Sequence, residues 1–189
     1  MWSLARPSDQ TAEAFLAAQS TLPFSYAEVG ASRDVFPAGY QHDFNRVLLG
    51  SGAEVFRRAC DALRQWRMFP RPWTHVLPAD AMIRDGQMVA VLARAMGIWW
   101  LNACRIVYVI DEQVPLRQFG FAYGTVTHVE RGEERFMIEW LANDTVWYDL
   151  RAFSRPGHWT TRLGYPLARR LQRKFARESL AAMRSAAAG

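Results

Sequence analysis

Arg117-Gln118-Phe119-Gly120-Phe121-Ala122-Tyr123-Gly124-Thr125, Glu133-Glu134-Arg135-Phe136-Met137-Ile138-Glu139-Trp140-Leu141 and Thr145-Val146-Trp147-Tyr148-Asp149-Leu150-Arg151 decide the fold. Large apolar side chains recur at every second position of each run, the period of a strand. The connections are short, as in an antiparallel meander. A one-residue slip would turn every side chain to the other face, so register follows from asking which pairing gathers the apolar faces. That pairing sets Tyr123 opposite Glu134, Phe121 opposite Phe136, Phe119 opposite Ile138 and Arg117 opposite Trp140. In the next hairpin Trp140 meets Val146, Ile138 meets Tyr148 and Phe136 meets Leu150.

The run Ala103 to Asp111 precedes these. Pairing Asp111 with Arg117 across a five-residue loop brings Val109 to Phe119, Val107 to Phe121 and Arg105 to Tyr123. One face then carries Val107, Phe119, Phe121, Phe136, Ile138, Trp140, Tyr148 and Leu150. Its reverse holds Gly120, Ala122 and Gly124, where other chain can approach closely. A single polar row, Arg105, Tyr123 and Glu134, crosses the aromatic face. An ionised pair on an apolar wall is costly unless compensated. Two readings stay open: a buried salt bridge that fixes register, or groups lining a cavity and orienting a polar ligand. On the second reading the ligand-binding candidates are Arg105, Tyr123 and Glu134 with Phe121, Phe136, Trp140 and Tyr148.

Upstream, Phe56, Cys60, Leu63 and Trp66 fall on one face of a helix over residues 52–69, with Ser51 and Glu54 in capping-box spacing. Pro70 and Pro72 end it. Trp73 to Leu77 reads as a strand, and Asp85-Gly86 as the turn of a hairpin between residues 81–84 and 87–91. A short helix is expected over Thr11 to Gln19 and a strand over His42 to Leu49. The chain closes in a long helix, about 160–186, with an apolar stripe of Leu163, Leu167, Leu171, Phe175, Leu180 and Met183. The expected fold is one α+β domain over 1–189, an antiparallel meander wrapped on the C-terminal helix. The alternative is a closed β-barrel with external helices.

Half of the 189 residues are hydrophobic and 13% aromatic, which excludes a disordered chain. Met1 to Pro7 lacks a basic region followed by an apolar run, and Ala95 to Cys104 is too short to span a bilayer. Cys60 and Cys104 sit in apolar patterns without ligand spacing, so reduced thiols and a cytoplasmic location are expected. The net charge is +5, and seven basic residues stand against Glu178 between Arg162 and Arg184. Any electrostatic partner meets that segment first. His128-Val129-Glu130 with Glu133 and Glu134 has no second histidine at ligand spacing. Ser154 lacks a nucleophile elbow, and Gly50-Ser51-Gly52 is adequately explained by helix capping. No metal, cofactor or nucleic acid is expected; oligomeric state is left open.

The segment Leu22-Pro23-Phe24-Ser25-Tyr26-Ala27-Glu28-Val29-Gly30, the run Phe121 to Thr125, His128 with Gly132 to Phe136, and Val146-Trp147-Tyr148 through Phe153-Ser154-Arg155-Pro156 together resemble the domain-of-unknown-function family nineteen-ninety, of bacteria and plants. The likeness spans roughly residues 10 to 186 and implies no activity or catalytic residue. Thr127 departs from the turn typical of that family. The element order also resembles the helix-grip arrangement of START and Bet v 1-like proteins, which implies a cavity for lipids or other apolar ligands. The function expected first is binding of an apolar or aromatic small molecule or lipid between sheet and C-terminal helix. The alternatives are an enzyme using Glu134 or Tyr123 as acid or base, and an interaction module using the basic helix.

Overall fold

The structure is a computed structural model describing residues 1–70, 72–113, 116–127, 130–157 and 165–189. Its elements run β1 (Trp2–Ser3), α1 (Asp9–Gln19), β2 (Gln41–Ser51), α2 (Ala53–Arg64), β3 (Thr74–Leu77), β4 (Met88–Ala95), β5 (Ile98–Glu112), β6 (Arg117–Thr127), β7 (Glu130–Trp140), β8 (Thr145–Pro156) and α3 (Tyr165–Ala188). The sheet order is β2-β8-β7-β6-β5-β4-β3, with β1 added beside β5. Every pairing is antiparallel. β2 and β3 end the path and do not pair with each other, so the sheet is an open grip and the closed-barrel alternative is excluded.

The concave face and α2 and α3 enclose the main core, with Phe121, Phe136, Tyr148, Leu63 and Met183 fully buried. Its centre is aromatic: Phe121 stacks on Phe136 at 5.3 Å, and Trp66 meets Phe121 edge-on at 5.0 Å. The convex face is also covered. α1 lays Ala12 and Leu16 over Leu92, Leu101 and Val126. Tyr26, Phe36 and Tyr40 surround Phe153 on the other half.

The β6–β7 and β7–β8 registers are as the apolar faces require, including Tyr123 opposite Glu134. The β5–β6 register differs. Near the loop Val109 stands opposite Phe121, two residues from expectation, which leaves the faces unchanged. Between Ile106 and Tyr108 a bulge then shifts the register by one. A bulge reverses which side chains face inward beyond it. Ile106 therefore takes the place opposite Tyr123, and Arg105 falls opposite Gly124 on the convex side.

Three other expectations change. The capping box does not form, because Ser51 remains in β2 opposite Thr145 and Gly52 occupies the N-cap. Glu54 instead bridges to Arg57 at 2.7 Å. α2 stops at Arg64 rather than 69, just ahead of Trp66, whose φ is 56°. Residues 81–84 form no strand; the hairpin in that region joins β4 to β5 through Met96 and Gly97, at φ 52° and 79°. Such two-residue turns need positive φ at both positions. Met96 is a poor cue for that geometry, whereas Asp85-Gly86 advertised it.

The end of the chain behaves as its stripe implies. Met183 is buried in the core beside Ala186 and Ala187. Leu167, Leu171 and Phe175, nearer the start of α3, border open space instead. The expected helical residues 160–164, Leu163 among them, and the loop residue His128 lie outside the described residues.

Candidate functional site

Under the first half of α3 the concave face stands away from the helix and leaves a cavity of about 560 Å³. That is within the range of small-molecule sites, roughly 300–1,000 Å³. Alternation along each strand decides what reaches it. β4 and β5 contribute Val91, Ala93, Trp100 and Asn102; β7 and β8 contribute Glu134, Glu130, Leu150 and Ala152. Phe69, Trp73, Leu171 and Phe175 complete an apolar wall.

Polar ties hold α3 over this space. The Arg169 guanidinium donates to both oxygens of Asp43 on β2, each at 2.6 Å. Trp73 Nε1 donates to Glu178 Oε2 at 2.7 Å, with the Lys174 ammonium 4.3 Å over the same indole. Tyr148 and Ser179 share a buried hydroxyl pair at 3.0 Å. Gln172 donates to Glu130. Arg169 and Lys174, two cations of the basic helix, thus serve intramolecular partners.

Tyr123 and Glu134 form a polar pair on the floor. The Tyr123 hydroxyl donates to Glu134 Oε2 at 2.5 Å. Among the described residues no arginine pairs with Glu134, and its other oxygen has no partner. That oxygen is not sealed, since the sole buried side-chain polar atom without a hydrogen bond among the described residues is Arg135 Nε. Glu134 is half-buried and faces the cavity. Burial pushes its carboxyl from the ordinary 4.5 up to about 7; Tyr123 opposes the shift, and the carboxylates of Asp43 and Glu130 add to it. Burial likewise drives the Tyr123 hydroxyl well above its ordinary range. Glu130 is raised too, again mainly by burial. The site thus holds a carboxyl near its titration point within a largely apolar enclosure.

Of the residues singled out by sequence, Tyr123 and Glu134 line the cavity. Phe121, Phe136 and Tyr148 are packed in the aromatic core beyond it, and Trp140 lies against Phe56 at 5.7 Å and under Arg117. Arg105 is on the convex face, where Nη2 donates to the Ser20 and Leu22 carbonyls at 2.9 Å each. The bulge at Val107 is the physical reason. The expected three-membered row is therefore a pair, and no salt bridge fixes it.

Sequence reasoning weighed Glu133 only within a metal-like cluster, although alternation beside Glu134 points it outward. On the convex face it accepts from Tyr26 Oη at 2.7 Å, Gly30 N at 2.8 Å, Ser32 N at 3.0 Å and the Ser32 hydroxyl. The segment from Leu22 to Gly30 thus clamps β7 from behind. Gly124 makes room for it: a Cβ there would stand 2.0 Å from Tyr26 Oη. Among the described residues no group of three or more His, Cys, Asp or Glu side chains is arranged to hold a metal ion. No described helix is long and apolar enough to cross a membrane. Both cysteines are free and buried, with the Cys60 thiol pushed up to about 12 by burial.

A concave antiparallel sheet gripping a C-terminal helix over a cavity defines the helix-grip class, the fold of START and Bet v 1-like proteins. The Zhui aromatase/cyclase of Streptomyces superposes with a TM-score of 0.56 at 10% identity, covering 78% of this chain and 93% of that one. A Thermus thermophilus protein superposes at 0.53 and 14% identity, covering 78% and 97%. At such identities the likeness is one of fold alone. The chain belongs to the family described as "Domain of unknown function (DUF1990)", whose profile matches residues 25–182. A UPF0548 protein of Dictyostelium discoideum is 31% identical over 95% of this chain and 92% of its own length. One from Deinococcus radiodurans is 36% identical over 94% of each, and one from Arabidopsis thaliana 34% over 82% and 77%.

Proposed function

We propose that this protein binds an apolar or aromatic small molecule, or a lipid, between its sheet and α3. The observation that carries the reading is a cavity of about 560 Å³, walled by Val91, Leu150, Leu171 and Phe175 with the hydrogen-bonded Tyr123 and Glu134 on its floor. Apolar walls supply affinity through removal of ligand surface from water, and a few placed polar groups supply orientation. The test is native mass spectrometry of protein purified from its own host, compared with Ala152→Trp, which places an indole in the cavity opposite Glu134. Wild type should carry a discrete added mass that the filled variant lacks at unchanged melting temperature. Identical spectra of two empty proteins would end the proposal.

A second reading, acid–base catalysis in the same cavity, is favoured by the Glu134 carboxyl standing near neutrality where a ligand reaches it. It requires that the retained molecule change mass on incubation with wild type and not with Glu134→Gln.

A further inference from the structure

The floor of the cavity selects by charge. Glu134 offers its partnerless oxygen to the cavity, while the other is engaged by Tyr123. Among the described residues, the charged groups acting on it are the Asp43 and Glu130 carboxylates. Asp43 is already matched by Arg169, and Glu130 accepts from Gln172. Glu134 has only a hydroxyl. Among the described residues its remaining titratable neighbours, Cys104 from β5, Tyr123 from β6 and Tyr148 from β8, are buried groups whose ionisation burial suppresses, so they bring no charge of their own. An entering group at the free oxygen thus meets the charge of Glu134 itself, in partly buried surroundings that screen less than water.

Aromatic rings stand beside it. Phe69 lies 6.5 Å from Tyr123 and 5.2 Å from Phe175, and all three line the cavity. Ring faces attract cations, and more strongly where water is excluded. Resting on the ligand-binding reading above, we propose that the cavity takes an apolar or aromatic molecule bearing one protonated amine, seated on the free oxygen of Glu134. Burial and like charge both oppose an isolated carboxylate at this position, which is why the carboxyl is pushed up to about 7. An ammonium reverses that opposition: it forms an ion pair without adding net charge to the enclosure, and its hydrogens fill the empty acceptor. A ligand carboxylate would meet the Glu134 carboxylate directly. Its best anchors are Arg131 and Arg173, exposed where the cavity meets the surface.

The experiment compares three probes of one shape by calorimetry at pH 8: naphthylmethylamine, which is cationic, naphthylmethanol, which is neutral, and naphthoate, which is anionic. Wild type should bind the amine at least about tenfold more tightly than the alcohol, and the naphthoate most weakly. Glu134→Gln should retain alcohol binding and lose the preference for the amine. Equal or tighter binding of the alcohol or naphthoate by wild type overturns the charge assignment and leaves the cavity reading intact. So does a preference that survives in Glu134→Gln. Absence of binding by all three probes, with no mass retained in native spectra, removes both proposals. If a neutral or anionic molecule is retained instead, only the amine inference falls. Because the comparison of probes is made on wild type, it stands even if the variant does not fold.

Discussion

A carboxyl held near neutrality should register in the stability of the whole protein. Unfolded, Glu134 titrates at the ordinary 4.5; folded, at about 7. Between those values the folded state keeps a proton that the unfolded state has released. Stability from this group is therefore fully present below pH 4.5, declines as pH rises through 7, and levels off above. A shift from 4.5 to about 7, at about 1.36 kcal/mol per pH unit, corresponds to a loss of about 3 kcal/mol. Glu134→Gln abolishes the titration while preserving shape and the acceptor for Tyr123. Urea denaturation of both proteins from pH 4.5 to 8 measures the effect. The variant should match wild type within about 1 kcal/mol at pH 4.5 and exceed it by up to about 3 kcal/mol at pH 8. Glu130 tilts both curves the same way, so their difference reports Glu134 together with its coupling to Glu130. Parallel curves, or a variant weaker than wild type at pH 8, would refute the reasoning.

Tyr123→Phe removes the donor that holds Glu134 down, so the carboxyl should titrate still higher by carbon NMR. Stability should fall by about 1 kcal/mol, because the free carboxyl oxygen already reaches the cavity. Gly124→Ala drives a methyl to within 2.0 Å of Tyr26 Oη and displaces a donor of the buried Glu133. A loss of about 2–5 kcal/mol is expected in chemical denaturation, and an unchanged midpoint would contradict the convex-face clamp. Arg105→Ala should cost about 1 kcal/mol through the Ser20 and Leu22 carbonyls. Its affinity for any cavity probe should equal that of wild type in calorimetry.

What was legible in the chain follows from where period and turn chemistry agree. From β6 to β8 the alternation is unbroken and the loops are short, so apolar faces alone aligned Tyr123 with Glu134. β5 defeats the same logic because the extra residue of a bulge leaves no mark in an apolar run such as Ile106 to Ile110. Arg105 was misplaced for that reason. The β4–β5 hairpin was hidden by Met96 in a left-handed turn position, and with it went Val91, Trp100 and Asn102, which form one side of the cavity. Asp43 and Gln172 could not be anticipated at all, since the first lies on a strand whose pairing partner is over a hundred residues away. The aromatic residues were correctly read as one inward face. Which of them would be core and which would meet open space depends on how far α3 stands from the sheet, a distance no local pattern encodes.

Glu133 and Glu134 are neighbours in sequence and strangers in environment. The first is saturated by donors behind the sheet, and the second has one oxygen engaged by Tyr123 and one open to the cavity in front of it. β7 is thereby anchored from the side opposite the cavity. Such a division makes the molecule a tolerant host for redesign. Substitutions at Val91, Ala152 or Leu171 change the shape of the cavity and leave the donors to Glu133 untouched. Related chains can differ in cavity shape while sharing one back wall, and a laboratory library confined to those three positions would vary the cavity without touching that anchor.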